Sequence, residues 1–136
     1  MALHMIKLVV GAATIEDLLA WRAHNRQDEA PWILRTRMTP KRGAELIDGG
    51  SIYRVFKGVI LCRQKILAVS TLGEGVTARC EITLAEDVVR VAPTPRRAFQ
   101  GWRYLDPSDA PPDLDLEAFG EVPESLARQL REAGAW

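Results

Sequence analysis

Apolar and polar positions change period several times along this chain, and each change marks an element. From His4 to Val10 the run is almost continuously apolar and stops at Gly11, which predicts a short strand. Thr14 follows, with Asp17 three residues on, an aspartate form of the capping box. Ile15, Leu18, Leu19 and Trp21 or Arg22 then recur at helical spacing until the polar stretch from His24 to Glu29 ends the helix. Trp32 to Met38 is strand-like, with Trp32 or Leu34 for packing and Arg35 and Arg37 on the alternate face. Thr39-Pro40 predicts the cap and first position of a helix over Lys41 to Ile47, with Ala44, Leu46 and Ile47 inward and Gly49-Gly50 as its stop.

The second half of the chain reads as strands. Ser51 to Phe56 and Val59 to Val69 are joined through Lys57-Gly58, and the second run is long enough to predict a bend. Gly73-Glu74-Gly75 turns into Val76 to Leu84, where Cys80, Ile82 and Leu84 alternate with Glu81 and Thr83. Val88, Val89 and Val91 form another short run closed by Pro93 and Pro95. Four or five short strands with glycine-rich joins predict an α+β fold, a small curled β-sheet or β-barrel flanked by short helices, because a doubly wound sheet needs longer intervening helices. Phe99, Trp102 and Tyr104 should anchor Arg96 to Leu105 to this body. The prolines at 107, 111 and 112 make Asp106 to Asp115 an extended arm, and Ser125, Leu126 and Leu130 allow a short helix after Pro123. The expected division is a domain over 1–112 and an acidic tail over 113–136.

Composition narrows the picture. At 136 residues the chain suits one domain, which needs no disulfide or metal to fold. Cys62 and Cys80 lie in separate strand-like runs and read as buried small hydrophobes. No apolar run approaches a membrane span and no basic leader precedes one, so a cytoplasmic protein without membrane contact is expected. Charge is segregated beneath a net of zero. Residues 32–105 carry 13 Lys/Arg against 6 Asp/Glu, whereas residues 106–136 carry 2 against 8.

No phosphate loop, dinucleotide fingerprint or nucleophile elbow is present, and neither His4 nor His24 stands at a ligand spacing. No cofactor is expected. Glu45, Asp48 and Glu81 are the carboxylates within the basic region, each read as the partner of a nearby arginine; together with Cys62 they carry an alternative, enzymatic reading. The basic residues are more suggestive. Arg35 and Arg37 share a strand face, and Lys41 and Arg42 open the next helix. Arg54, Lys57, Arg63 and Lys65 extend the charge along the strands, while Arg96 and Arg97 flank an aromatic segment in which Trp102 offers a stacking surface. Nucleic acid is the expected partner, bound through phosphate contacts and base stacking without catalysis. A further alternative is an interaction protein whose acidic arm docks on a second copy.

The runs Met5-Ile-Lys-Leu, Thr36-Arg-Met-Thr-Pro-Lys-Arg, Glu45-Leu-Ile-Asp-Gly-Gly-Ser-Ile-Tyr, Phe56-Lys-Gly-Val-Ile and Phe99-Gln-Gly-Trp-Arg-Tyr-Leu, followed by Ala110-Pro-Pro-Asp-Leu, resemble a family of short alphaproteobacterial proteins of unknown function, over residues 1 to 116. More loosely, Pro40 to Ile47, the Gly49-Gly50 turn and the strands Ile52 to Phe56 and Val59 to Val69 resemble the PUA-like barrels of the ASCH and EVE groups. That second resemblance implies a cleft between helix and barrel for RNA or modified bases. Arg35, Arg37, Lys41 and Arg42 would position the backbone there, with Lys57, Arg63, Arg96 and Arg97 lining the cleft.

Overall fold

The computed structural model describes residues 3–26, 30–97, 99 and 101–114, which form seven strands and two α-helices. The order is β1 (His4–Leu8), α1 (Ile15–Asn25), β2 (Trp32–Thr36), α2 (Gly43–Ile47), β3 (Ser51–Phe56), β4 (Val59–Leu72), β5 (Arg79–Leu84), β6 (Val89–Pro95) and β7 (Trp102–Leu105). No helix among the described residues is long and apolar enough to cross a membrane. The tail beyond Leu114, with the helix expected after Pro123, lies outside the described residues, as does the docking proposed for it.

The strands form one sheet in the order β2-β5-β4-β3-β1-β7, with β6 paired to β4. β1 and β3 are parallel, and every other pairing is antiparallel. This overturns the expected curled sheet or PUA-like barrel. The path ends at β2 on one side and β7 on the other, and no backbone ladder joins them, so the sheet is open. Alternating short strands look alike in an open sheet and a closed one, because closure depends on pairing between the two most distant edges. The barrel resemblance therefore gives no support to RNA as the ligand.

β4 makes this arrangement possible. Its first half pairs with β3 and with β6, its second half with β5, and the register shifts between Ile60 and Cys62 and again between Ile66 and Ala68. The long strand foreseen over Val59 to Val69 thus continues to Leu72 as an irregular ladder. β6 runs through Pro93 to Pro95 instead of stopping there. A proline is admissible because the register of β6 against β4 is already broken at that level.

Both faces of the central strands are covered, and β1 and β3 are apolar apart from His4, Lys7, Ser51 and Arg54. Met5, Ile52, Phe56, Ile66 and Ile82 pack with Ile15 and Leu18 of α1, Leu46 of α2 and Trp32 of β2. On the opposite face Ile6, Tyr53, Val55, Ile60, Val91 and Leu105 form a smaller core. The arm after β7 closes that side: Ala92 N–H donates to the Pro112 carbonyl at 2.9 Å and Leu114 N–H to the Arg90 carbonyl at 2.8 Å, bordering β6 with an added bridge.

Of the two helix-capping signals in the sequence, the chain realises one. Thr14 caps α1 as expected, its hydroxyl accepting from Asp17 N–H at 3.0 Å while the Asp17 carboxylate accepts from Ala13 N–H. Thr39 does not cap α2; its hydroxyl lies 2.8 Å from that of Thr71 on β4, and the helix begins only at Gly43 behind Arg42. Gly49 has φ +83°, and a Cβ on Gly50 would stand 2.2 Å from the Leu3 carbonyl oxygen and 2.3 Å from that of Leu46. The turn out of α2 therefore admits nothing larger than glycine at position 50.

Two predictions follow from these contacts. Gly50→Ala should lower the unfolding free energy by about 3 kcal/mol or more in denaturant titration, since neither carbonyl can retreat without disturbing β1 or α2. His4 accepts the Ser51 N–H on Nδ1 at 3.0 Å. Burial, and then the charge of Arg63, hold its pKa below the ordinary 6.5. A lowered folded pKa places this contribution fully above pH 6.5 and removes it as pH falls through the folded value. Chemical denaturation from pH 7.5 to 5 should show stability declining on the acid side, with a shallower decline in His4→Gln.

Candidate functional site

The open edges of the sheet meet without pairing, and the space between them is the largest cavity described. β2 with Arg37 and Met38 forms one wall, β7 the other, and Lys7 of β1 the floor; the volume is about 670 Å³. Trp102 Nε1–H spans the gap to the Met38 carbonyl at 3.1 Å, and Tyr104 Oη accepts from Arg42 N–H at 3.1 Å. Side chains thus hold the edges together where a barrel would use backbone. Trp102 and Tyr104 stand edge to face, centroids 4.9 Å apart at 76°.

Four cations line this seam, Lys7, Arg35, Arg37 and Arg103, and none of the described lining residues is acidic. Arg35 donates to Glu81 Oε2 at 2.9 Å across the β2–β5 ladder, although its side chain stays largely exposed. Arg103 lies with its guanidinium carbon 5.4 Å from the Phe99 ring centroid. A second, shallower cavity of about 540 Å³ shares Arg103 and Tyr104 with the seam and adds Arg96, Arg97 and Phe99.

The residues expected to bind nucleic acid are therefore brought together in part. Arg35, Arg37 and Trp102 line the seam, and Arg96 and Arg97 its extension. Arg42 sits over the Tyr104 ring at 5.6 Å, but its guanidinium is held by both Glu45 oxygens at 2.5 and 2.8 Å, which raises its pKa and lowers that of Glu45. Lys41 is exposed just before α2, outside the cavity lining. Lys57 occupies the β3–β4 turn with φ +47°, outside the lining of the seam and of its extension. Arg63 faces the smaller core opposite Tyr53, where Asp113 binds it through both oxygens at 2.7 Å and Ser51 Oγ accepts at 3.0 Å. The basic middle is not one surface, because several of its cations are engaged by carboxylates of this same chain.

Those pairings also bear on catalysis. Glu45 and Glu81 are individually bound to Arg42 and Arg35, so they do not converge on a common point. Cys62 is fully buried and its thiol is pushed up to about 12, chiefly by burial, which leaves no thiolate for nucleophilic work at neutral pH.

Sequence reasoning missed Lys7 and counted Arg54 only among the cations that extend the basic surface along the strands. Partners across the ladders set Trp102, Lys7, Arg54, Cys62 and Arg90 in one transverse row on the face toward α1, where Arg90 meets Glu16 Oε1 at 2.6 Å. Burial and the neighbouring Arg54 hold the Lys7 pKa below its ordinary value. A lysine inside the apolar run Met5 to Val10 was the available signal: on a strand buried on both faces, a cation requires a reason.

No curated protein and no solved structure matches the chain significantly. A family model described as "Protein of unknown function (DUF1489)" matches residues 5–136, almost the whole length and all of the described sheet but His4. The chain therefore belongs to the DUF1489 family.

Proposed function

We propose that this chain is a binding module that takes a nucleotide unit, alone or within a single strand, in the seam between β2 and β7, without making or breaking a bond. The observation that carries this reading is the lining: four cations and two aromatic rings around one open cavity with no acidic residue among those described. Phosphate oxygens accept from guanidinium and ammonium groups, while a flat base matches an aromatic wall and contributes about 1–3 kcal/mol when it stacks. The adjoining cavity at Arg96 and Arg97 would extend the same chemistry to a neighbouring nucleotide.

The test is fluorescence polarisation with a labelled single-stranded oligonucleotide at low and high salt, followed by competition with adenosine monophosphate. Affinity should fall steeply with salt, by about 0.7 in log K per log salt for each phosphate engaged. Arg37→Glu and Arg103→Glu should each weaken binding about tenfold and flatten the salt slope by about one contact, whereas Lys57→Asn should leave binding unchanged. Displacement by the mononucleotide separates a free nucleotide from a strand as the ligand. Absence of binding at low salt, or indifference to both charge reversals, would overturn the reading.

A further inference from the structure

Beside the seam, on the other side of Lys7, lies a second pocket of different character. Its volume is about 350 Å³, and its walls are hydrocarbon and indole: Leu18 and Trp21 of α1, Trp32 and Leu34 of β2, and the segment from Leu8 to Ala12. Lys7 and Arg54 are the only charged residues among those described around it. At the mouth, Trp21 and Val10 leave 54% and 91% of their surfaces exposed, an apolar rim that nothing described covers.

Arg54 is the unusual element. It sits on a strand whose six residues are all buried, is itself 5% exposed, and is bound only by Gln64 Oε1, which accepts from Nη1 at 3.0 Å. Its Nε–H has no hydrogen-bond partner. Across the ladders its neighbours are Lys7, another cation, and Cys62, whose neutral thiol supplies no countercharge. Burial pulls the guanidinium below its ordinary pKa, yet an arginine stays charged at neutral pH. A buried charge with no opposite charge beside it destabilises the fold, and two like charges on facing ladder positions add to the cost.

We propose that this pocket binds a small molecule with an apolar or aromatic body and a single carboxylate, the carboxylate meeting Arg54 and the body lying against Trp21, Trp32 and Leu34. The planar guanidinium fork suits a carboxylate. A phosphate dianion would ask for more donors than Arg54 and Lys7 provide within otherwise apolar side chains. The pocket volume falls at the lower end of small-ligand sites. This goes beyond the nucleotide reading of the seam and does not depend on it, since the ligand carries neither phosphate nor base.

The test is isothermal titration of the full chain with 3-phenylpropionate, with 3-phenylpropanamide and with phenyl phosphate, alongside thermal melting. The carboxylate should bind one per chain and raise the melting temperature, with affinity about ten- to a hundredfold above that of the neutral amide. Arg54→Met should bind the carboxylate no better than the amide while melting at the same or a higher temperature, because replacing an uncompensated buried charge by an apolar side chain relieves its cost. Trp21→Ser, on the exposed rim, should weaken acid and amide alike and leave the preference for the acid intact. Equal affinity for acid and amide, absence of binding by any of the three, tighter binding of phenyl phosphate, or unaltered acid binding by Arg54→Met would each overturn the proposal. The acid–amide comparison and Trp21→Ser decide the matter even if Arg54→Met fails to fold.

Discussion

β4 holds backbone ladders to three strands at once, and the placement of every cavity follows from how it does so. A regular strand has two edges and offers each to one neighbour along its length. By breaking register at two points, β4 gives β3 and β6 its first half and β5 its second. β5 then carries β2, and β3 carries β1, which carries β7, so two arms of sheet leave the same strand. Their outer edges approach without pairing, and the unpaired gap is the seam. Had β2 and β7 formed a ladder, hydrogen-bonded backbone would fill the space now occupied by Trp102, Lys7 and the cavity around them.

The same geometry sorts the charges. Where the sheet is covered from outside, cations are met by carboxylates: Arg63 by Asp113, Arg90 by Glu16, and Arg22 by Glu86 beside the Trp32 ring, whose centroid lies 5.2 Å from the guanidinium. These contacts fasten the arm after β7, the helix α1 and the β5–β6 connection to the sheet. Most involve partly exposed groups and contribute modestly to stability. Arg90 stands at one end of the transverse row, and further along that row the pattern reverses. Lys7 and Arg54 face one another with no acid between them. A chain with equal numbers of acidic and basic residues does not lack carboxylates, so their absence here is a matter of position and not of supply.

Much of the local order was legible because it is encoded within a few residues. Thr14 and Asp17 announce α1, and Gly49-Gly50 its counterpart's end, since a cap and a close approach leave chemical signatures in sequence. Thr39-Pro40 carried an equally good local signature and misled, because a tertiary contact with Thr71 took the hydroxyl that would have capped the helix. Arg96 to Leu105 supplied an aromatic anchor as expected, but its role as strand β7 depended on Met5 and Lys7 accepting it as a partner from the far end of the chain. Openness of the sheet was illegible for the same reason. Of the site, Arg35, Arg37 and Trp102 were visible as alternating or clustered residues. Arg54 resembled any solvated strand cation, because nothing in Ser51 to Phe56 tells which faces will be covered.

Lys7 belongs to both cavities, and this joins their electrostatics. Its ammonium is disfavoured by burial and by Arg54, so an anion on either side of it relieves a repulsion built into the fold. An anion held at Arg54 would neutralise the nearer of those charges and leave less positive potential for a phosphate in the seam, so the two anions disfavour one another by an amount that weakens with separation and screening. Linkage requires the coupling to be mutual, and an anion in the seam must alter binding at Arg54 by the same factor.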